Sequence, residues 1–199
     1  MVTGKRLICA NVGDSRAILG SLKSKSSQLL PQENLCTSAS HEPSKVWVAH
    51  GLSRDHKPDA KDEKERILRC NGRVDPFREP NGDPIGPARV WLKHENVPGL
   101  AMSRSIGDAV ASSVGVSPEP EIYECELSED DKFIVLASDG VWEFISNEEA
   151  VNLVVPYWLQ GNPEAACDKL VKESVAHWKK EDEVIDDITC VVVFLNIKD

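Results

Sequence analysis

The sequence lacks most of the patterns that identify zinc-binding, nucleotide-binding and membrane-spanning proteins. Its six cysteines include no Cys-x-x-Cys pair and its five histidines are scattered, which argues against a structural zinc site. It contains no Gly-x-Gly-x-x-Gly, no Gly-x-x-x-x-Gly-Lys and no Gly-x-Ser-x-Gly. No apolar run approaches the ~20 residues that a membrane helix requires. The chemistry must therefore come from other residue types.

Positive charge is scarce in this chain of 199 residues. Lys and Arg number 23 against 33 Asp and Glu, which gives a formal net charge of −10. Such a surface repels phosphate backbones and anionic lipids, so we expect neither nucleic acid nor a membrane as a partner. The excess acid either keeps the protein soluble or gathers in part around a cation.

The cysteine usage and the first residues favour an intracellular protein. No secretory signal precedes the first predicted strand, and the cysteines show no disulfide pattern. Cys9 and Cys190 lie in apolar runs and are expected to be buried. We therefore expect a reducing location, cytoplasmic or nuclear, and a single domain or most of one.

The hydrophobic pattern predicts an α+β protein with strands at both ends of the chain. We predict strands over residues 6–12, 17–20, 45–50, 121–127, 132–137 and 188–195, and helices over 59–70, 146–158 and 162–179. The first two strands, joined by the turn at 13–16, are expected to form a hairpin. Two helices separate the last two strands, which favours antiparallel layers over an alternating parallel sheet.

Two segments show little periodicity. Residues 21–45 are rich in Ser, Lys, Gln and Pro, so we predict a long surface loop insertion there. Residues 75–99 contain five prolines and several glycines, which is typical of an irregular surface lobe rather than a core.

Two acidic turns each adjoin a predicted buried strand. Asp139, followed by Gly140, comes at the end of the strand 132–137, and Asp186 precedes the strand 188–195. If these strands are antiparallel neighbours, both carboxylates emerge at the same edge of the sheet. Carboxylates without His or Cys are hard oxygen ligands, which suit magnesium or manganese better than zinc.

Each acidic residue also has a plain structural interpretation. Asp139 and Gly140 alone could form only a tight turn, and Asp186 could be only a charge at a strand end. Asp14 lies in Gly-Asp-Ser-Arg, an ordinary hairpin turn in most proteins, and His56 lies in a polar turn where a structural or surface role is expected.

Seven short segments, read in order, resemble the type 2C metal-dependent protein phosphatases (the PPM family). They are Ala-Asn-Val-Gly-Asp-Ser-Arg-Ala at 10–17, Asp-His-Lys-Pro at 55–58, Glu-Lys-Glu-Arg-Ile at 63–67 leading to Asn-Gly-Arg-Val at 71–74, Gly-Leu-Ala-Met-Ser-Arg-Ser-Ile-Gly-Asp at 99–108, Val-Ser-Pro-Glu-Pro-Glu at 116–121, Phe-Ile-Val-Leu-Ala-Ser-Asp-Gly-Val-Trp at 133–142 and Asp-Asp-Ile-Thr-Cys at 186–190. Only residues 21–45 fall outside the resemblance.

The resemblance implies an antiparallel β-sandwich flanked by α-helices. It also implies hydrolysis of phosphoserine and phosphothreonine in phosphorylated protein substrates by water that two Mg²⁺ or Mn²⁺ ions activate. No covalent phosphoenzyme is then needed. Residues 75–99 fall where the family carries its flap, a lobe beside the active site.

The resemblance carries over to individual residues. Asp139 and Asp186 match family metal ligands and are the residues expected to support catalysis. Asp14 matches a residue associated with a third, more weakly held metal, and Glu143 stands where the family commonly has an aspartate for that ion. Asp108 matches an acidic residue near the metal-bound water.

The sequence departs from the family in several respects that bear on activity: besides Glu143, the family's phosphate-binding arginine and a further upstream acid are absent. The metal-bridging aspartate of the family's Asp-Gly-His-Gly motif has no counterpart, since Asp-Gly occurs once, at 139–140, and is not followed by His. We therefore expect residues 1–199 to be a partial phosphatase domain without the N-terminal strands and helix. Such a chain would be weakly active or inactive alone, and a monomer if completed.

Two other functions remain open from the sequence. The chain could be a catalytically silent relative that binds phosphoproteins or regulates a complete phosphatase, which the missing aspartate favours. A purely structural acidic domain would explain the composition but not the ordered motifs.

Overall fold

The computed structural model describes residues 1–24, 44–181 and 184–197. Within them the strands are β1 (Val2–Thr3), β2 (Arg6–Asn11), β3 (Arg16–Ser24), β4 (Lys45–Gly51), β5 (Gly72–Arg78), β6 (Pro84–Leu92), β7 (Pro98–Leu100), β8 (Glu121–Glu126), β9 (Asp131–Ala137) and β10 (Cys190–Phe194). The helices are α1 (Lys61–Arg69), α2 (Ala109–Ser112), α3 (Asp139–Trp142), α4 (Asn147–Trp158) and α5 (Pro163–Glu181). The predicted α+β class is confirmed.

The strands form three sheets in the orders β1-β2-β8, β10-β9-β3-β4 and β5-β6-β7. Antiparallel pairing joins β1 to β2, β10 to β9, β3 to β4, β5 to β6 and β6 to β7. This confirms the expected antiparallel sheets, and it places the last two strands, β9 and β10, side by side.

The chain divides into two compact units. The first unit comprises Met1–Leu7, Ala17–Leu52 and Glu124–Asp199, and the second comprises Ile8–Arg16 and Ser53–Tyr123. The first contains the four-stranded sheet with α3, α4 and α5. The second contains α1, α2 and the sheet β5-β6-β7.

In the first unit, one face of the four-stranded sheet packs against helices. Phe133 and Val135 on β9 and Ile18 on β3 are fully buried, in one apolar cluster with Val154 of α4 and Leu170 of α5. Phe133 and Val135 lie two positions apart on β9 and so share one face of the pleated sheet, whereas β3 is buried at five consecutive positions, 17–21. The apolar run at 132–137 is thus a central strand, as predicted.

The helix starts in this unit follow the predicted capping residues. The Ser146 hydroxyl accepts a hydrogen bond from the Glu149 amide at the start of α4. Asn162 Oδ1 accepts one from the Ala165 amide at the start of α5. Each bond satisfies an amide that a helix N-terminus otherwise leaves without a partner.

In the second unit, α1 packs through Ile67 onto a small core that includes Val74, Val90 and Val114. Asn71 ends the helix in the left-handed conformation (φ 60°), which confirms the predicted stop. Leu68, predicted to share the apolar contact, is instead half exposed. Among the described residues, no helix is both long enough and apolar enough to cross a membrane.

The segment 75–99 is not irregular as predicted, because most of it lies in β5, β6 and β7, while its assignment as a flap-like surface lobe stays a prediction. The prolines are compatible with the sheet through their positions. Pro84 and Pro98 begin strands, and the register shifts after Pro76, so that Gly86 and Pro87 have no paired position on β5. Proline is tolerated at strand starts and bulges because it has no amide to donate.

The predicted hairpin of the first two strands was also wrong, because β2 and β3 lie in different sheets. The main chain of Gly13 hydrogen-bonds to His56 instead: the His56 amide donates to the Gly13 carbonyl, and the Gly13 amide donates to His56 Nδ1. The turn between the strands is therefore fixed to a distant residue and does not close a hairpin.

Three smaller predictions need correction. The loop predicted at 21–45 was too long, because residues 21–24 belong to β3 and Lys45 begins β4; residues 25–43 lie outside the described part. Cys9 and Cys190 are half-buried rather than fully buried. The strand at 121–127 is confirmed as β8, but Ile122 and Tyr123 are both exposed.

We predict that Gly20→Ala destabilises the first unit. A Cβ on Gly20 would lie 2.4 Å from the Cε2 and Cζ atoms of Phe133, so the ring must move. Overpacking of this kind costs about 1–3 kcal/mol of unfolding free energy, which urea denaturation would measure. In a Phe133→Leu background the same change should cost less, and an equal penalty in both backgrounds would refute this explanation.

Candidate functional site

The pairing of β9 with β10 brings Asp139 and Asp186 to one edge of the four-stranded sheet. Ala137 pairs with Cys190, and the ladder continues beyond the strands, where the Ser138 amide donates to the Thr189 carbonyl at 3.0 Å. Asp139 follows this bond on one segment and Asp186 precedes it on the other. The predicted antiparallel arrangement of the two acid-bearing segments is confirmed.

The Ser138 side chain joins the same two segments. Its hydroxyl donates to the Asp187 carbonyl at 3.0 Å and accepts from the Thr189 amide at 3.1 Å. Together with the main-chain bond to Thr189, three hydrogen bonds from one residue fix the segment before Asp139 against the segment after Asp186.

Gly140 allows the closest approach between these segments. A Cβ at this position would lie 2.4 Å from the Asp187 carbonyl oxygen, a distance that real Cβ atoms do not show. The requirement for glycine here comes from backbone contact rather than from a left-handed conformation. Any side chain at 140 would push the two acid-bearing segments apart.

Each of the two carboxylates is oriented by a neighbouring amide. Asp139 Oδ1 accepts from the Gly140 amide at 3.0 Å, and Asp186 Oδ1 accepts from the Asp187 amide at 2.7 Å. Asp139 is half-buried at the start of α3, and Asp186 is exposed.

This pair fits a hard divalent cation that keeps much of its water. Mg²⁺ is commonly bound through one or two carboxylates, with water completing six oxygen ligands. Over residues 1–24, 44–181 and 184–197, no group of three or more His, Cys, Asp or Glu side chains could hold an ion. At this end of the strands the two carboxylates to consider as ligands are those of Asp139 and Asp186.

Glu143 lies one helical turn after Asp139. Its amide donates to the Asp139 carbonyl at 2.9 Å, and its side chain is exposed. Residues four apart on a helix lie on the same side. Its assignment to a third metal stays a prediction.

Asp14 and Asp108 belong to the second unit. Asp14 is nearly buried, and its carboxylate accepts a hydrogen bond from Lys57 Nζ at 2.6 Å, so a protein cation already partners this acid. Asp108 is exposed, has a left-handed conformation (φ 49°) and accepts from the Ser105 hydroxyl. The predicted roles of both acids at a metal site stay predictions.

His56 is a structural residue that the sequence placed only in a polar turn. Its side chain is fully buried, so the surface alternative was wrong. Because the Gly13 amide donates to Nδ1, we assign the ring proton to Nε2, which lies 3.1 Å from Glu121 Oε2. The imidazole thus fixes the turn that carries Asp14.

Glu63 is a buried carboxylate whose importance the sequence analysis missed. It accepts hydrogen bonds from Arg66 Nη2 and Arg104 Nη2, both at 2.7 Å, and from the Ser103 hydroxyl at 2.5 Å. Burial alone would raise the pKa of Glu63, but these three donors outweigh it and hold the pKa well below its usual range. A signal existed: Glu63 is four residues before the buried Ile67, on the same helical face.

The family model described as "PP2C: Protein phosphatase 2C" matches residues 1–182. The chain is 38% identical over 200 residues to "Probable protein phosphatase 2C 72" of Arabidopsis thaliana, covering 98% of this chain and 52% of that protein. It is 37% identical to "Probable protein phosphatase 2C 64" of Oryza sativa subsp. japonica, covering 98% and 40%. The chain thus spans about half the length, or less, of these curated relatives.

Two solved structures have the same fold. A serine-threonine phosphatase 2C from Toxoplasma gondii matches with a TM-score of 0.74 and 22% identity, covering 96% of this chain and 55% of that one. A C. elegans sex determining protein matches with a TM-score of 0.64 and 18% identity, covering 96% and 37%. The expected fold is therefore confirmed.

We predict that Glu63→Gln lowers the unfolding free energy at pH 7 by about 3 kcal/mol, because it removes the buried carboxylate that the half-buried Arg66 and Arg104 share. The pKa of Glu63 is lower in the folded than in the unfolded chain, so its contribution is complete above about pH 4.5, the ordinary value, and is lost as the pH falls further. Urea denaturation at several pH values should show the difference shrinking in acid. Glu65→Gln, an exposed change on the same helix, should stay within about 0.5 kcal/mol of the parent at every pH.

We also predict that Ser138→Ala loosens the acid-bearing edge, that is, the end of the β9–β10 pair where Asp139 and Asp186 lie. Loss of the two side-chain hydrogen bonds should lower the unfolding free energy by about 1–2 kcal/mol and weaken Mn²⁺ binding. Denaturation and calorimetric titration measure the two effects, with Ser15→Ala, in an exposed turn position, as the control. Unchanged Mn²⁺ affinity in a destabilised Ser138→Ala would contradict a role in positioning the carboxylates.

Proposed function

This chain belongs to the protein phosphatase 2C family, and on that premise we propose that it supplies part of a metal-dependent protein serine/threonine phosphatase. The substrates are phosphoserine and phosphothreonine in proteins, and the cation is Mg²⁺ or Mn²⁺. The observation that carries the proposal is the β9–β10 pairing, which places Asp139 and Asp186 at one sheet edge.

The charge of the chain supports a role for a cation at this edge. A phosphorylated side chain carries about −1.5 to −2 charges at neutral pH, and this protein carries a formal net charge of −10. A divalent cation bound there would neutralise phosphate oxygens and make water a better nucleophile. The chain's own part is to hold Asp139 and Asp186 in place through Ser138 and Gly140.

The cysteine that follows the acidic segment does not offer a competing nucleophile. Burial, with a further contribution from Cys167, raises the pKa of Cys190 to about 12, so the thiol stays protonated near neutral pH. A thiol rather than a thiolate is a poor nucleophile. Direct attack by water, without a covalent phosphoenzyme, therefore suits this site better.

The free thiols also support the expected location. Five of the six cysteines lie in the described part of the chain, and each is a free thiol. Unpaired cysteines are typical of reducing compartments. We propose a cytoplasmic or nuclear location on this ground.

We further propose that this chain alone has little or no activity. A two-ion phosphatase site needs more ligands than two carboxylates, and the described residues provide no group of three or more. The sequence also has no Asp-Gly-His segment to bridge two ions. Activity would then require the further ligands to come from additional protein sequence.

The same observation favours one alternative. With two carboxylates at the sheet edge and no larger ligand group among the described residues, the chain could bind phosphoproteins without hydrolysing them. This binding protein would retain affinity for a phosphopeptide but show no turnover even when upstream sequence of the family is supplied.

The test is a comparison of Mn²⁺ binding and phosphate release from a phosphothreonine peptide. Asp139→Asn and Asp186→Asn should each weaken Mn²⁺ binding about tenfold or more, whereas Asp187→Asn, the same charge change one residue away, should not. The chain alone should release phosphate near the background rate. Fusion to the upstream half of the Arabidopsis relative should raise the rate, and Asp139→Asn should abolish that gain.

Each other outcome identifies which part of the proposal is wrong. Mn²⁺ affinity that is unchanged in Asp139→Asn would refute the metal site. Asp139-dependent turnover by the chain alone would refute its inactivity but support the phosphatase. Phosphopeptide binding without turnover in the fusion would favour the binding protein.

A further inference from the structure

The indole of Trp178 contacts the acid-bearing edge directly. Trp178 lies in the last turn of α5, and its Nε1–H donates a hydrogen bond to the Gly140 carbonyl at 2.7 Å. Gly140 is the residue immediately after Asp139 and lies against the Asp187 main chain. One side chain from a distant helix therefore reaches the turn on which the Asp139 carboxylate is mounted.

The indole is itself held by an aromatic contact. Phe144 packs edge-on against it, with ring centroids 4.8 Å apart and an interplanar angle of 85°. The other neighbour of Phe144 is His177, stacked at 6.2 Å. A T-shaped pair of this kind restricts both rings, so the direction of the indole N–H is defined.

The position of α3 makes this bond significant for the carboxylate. α3 has only four residues, Asp139–Trp142, so it lacks most of the internal hydrogen bonds that stiffen a longer helix. Its orientation depends on bonds from outside, of which the indole bond to Gly140 is one and the Trp142 Nε1 bond to the Ala137 carbonyl at 2.9 Å is another. Movement of the Gly140 backbone would therefore also move Asp139, the residue before it.

α5 also leads toward the second carboxylate. The helix ends at Glu181, five positions before Asp186 along the chain. The described contact that links the two acid-bearing segments is the approach of Gly140 to the Asp187 carbonyl, so a bond that holds Gly140 also bears on the segment after Asp186.

We infer that Trp178 is a positioning residue for the cation site: its indole N–H fixes the Gly140 carbonyl and thereby the separation of the Asp139 and Asp186 carboxylates. This inference rests on the proposed function, because it assigns Trp178 to the proposed metal site. Trp178 touches neither substrate nor cation; it acts through Asp139.

The test is Trp178→Phe, which keeps an aromatic ring beside Phe144 but removes the N–H. Trp158→Phe is the matched control, since Trp158 packs edge-on against Trp47 in the same unit and makes no contact with the acid-bearing turn that the structure describes. Mn²⁺ affinity is measured by calorimetric titration. Trp178→Phe should bind Mn²⁺ about three- to tenfold more weakly, the effect of losing one positioning hydrogen bond, while Trp158→Phe stays within about twofold of the parent.

A second readout separates positioning from general support of the fold. The indole N–H resonances of Trp178 and Trp158 are identified as those that disappear in Trp178→Phe and in Trp158→Phe. In a nuclear magnetic resonance titration of the parent chain with Mg²⁺, the Trp178 resonance should shift and the Trp158 resonance should not. Phe144→Leu, which retains the hydrogen bond but removes the edge-on ring, should weaken Mn²⁺ binding less than Trp178→Phe.

The outcomes distinguish this inference from the proposed function. Mn²⁺ binding that depends on Asp139 but is unchanged in Trp178→Phe would overturn the positioning role alone. If the Trp178 indole N–H resonance does not shift with Mg²⁺ although the parent chain binds the ion, the positioning role is also overturned. Absence of Asp139-dependent binding in the parent chain would overturn the metal site and, with it, this inference.

Discussion

The hydrogen-bonded ladder between β9 and β10, extended by Ser138 and Thr189, is the interaction on which the candidate site depends. It is a main-chain contact, so the carboxylates are placed by register rather than by their own side-chain packing. A slip of one residue would move every side chain of β10 to the opposite face of the sheet. Burial of Val192 on one face and exposure of Val191 and Val193 on the other oppose such a slip. The core therefore stabilises not only the fold but also the position of the two acids.

The second unit fixes its acidic turn by a different means. Here the main-chain position of Gly13 depends on a buried imidazole, and the helix α1 depends on a buried carboxylate shared by two arginines. Buried charges of this kind add little stability over an apolar core but cost several kcal/mol when one partner is removed.

The sequence was sufficient for the last two strands, for α4 and α5, and for one part of the site. Apolar runs fix β9 and β10, and capping residues fix the starts of α4 and α5, because these signals are local. The pair Asp139 and Asp186 followed from strand ends plus one assumption about pairing. The sheet at 72–100 was missed because proline content outweighed the strand pattern, although Pro84 and Pro98 lie where a strand tolerates them. Trp178 could not be placed, because its partner Gly140 lies 38 positions away. The burial of Glu63 could be inferred from its helical face, but its ion pair with Arg104, 41 positions away, depends on packing.

The separation of Ala137 and Cys190 along the chain determines when, during folding, the Asp139 and Asp186 segments can pair. About fifty residues, including α4 and α5, must be closed into a loop before the two strands can pair, and the entropy cost of such closure is met only as the helices pack. The Asp139 turn is synthesised 47 residues before Asp186. On the ribosome, the two carboxylates can meet only after β10 has emerged from the exit tunnel. The acid pair is therefore acquired only when β10 joins the sheet.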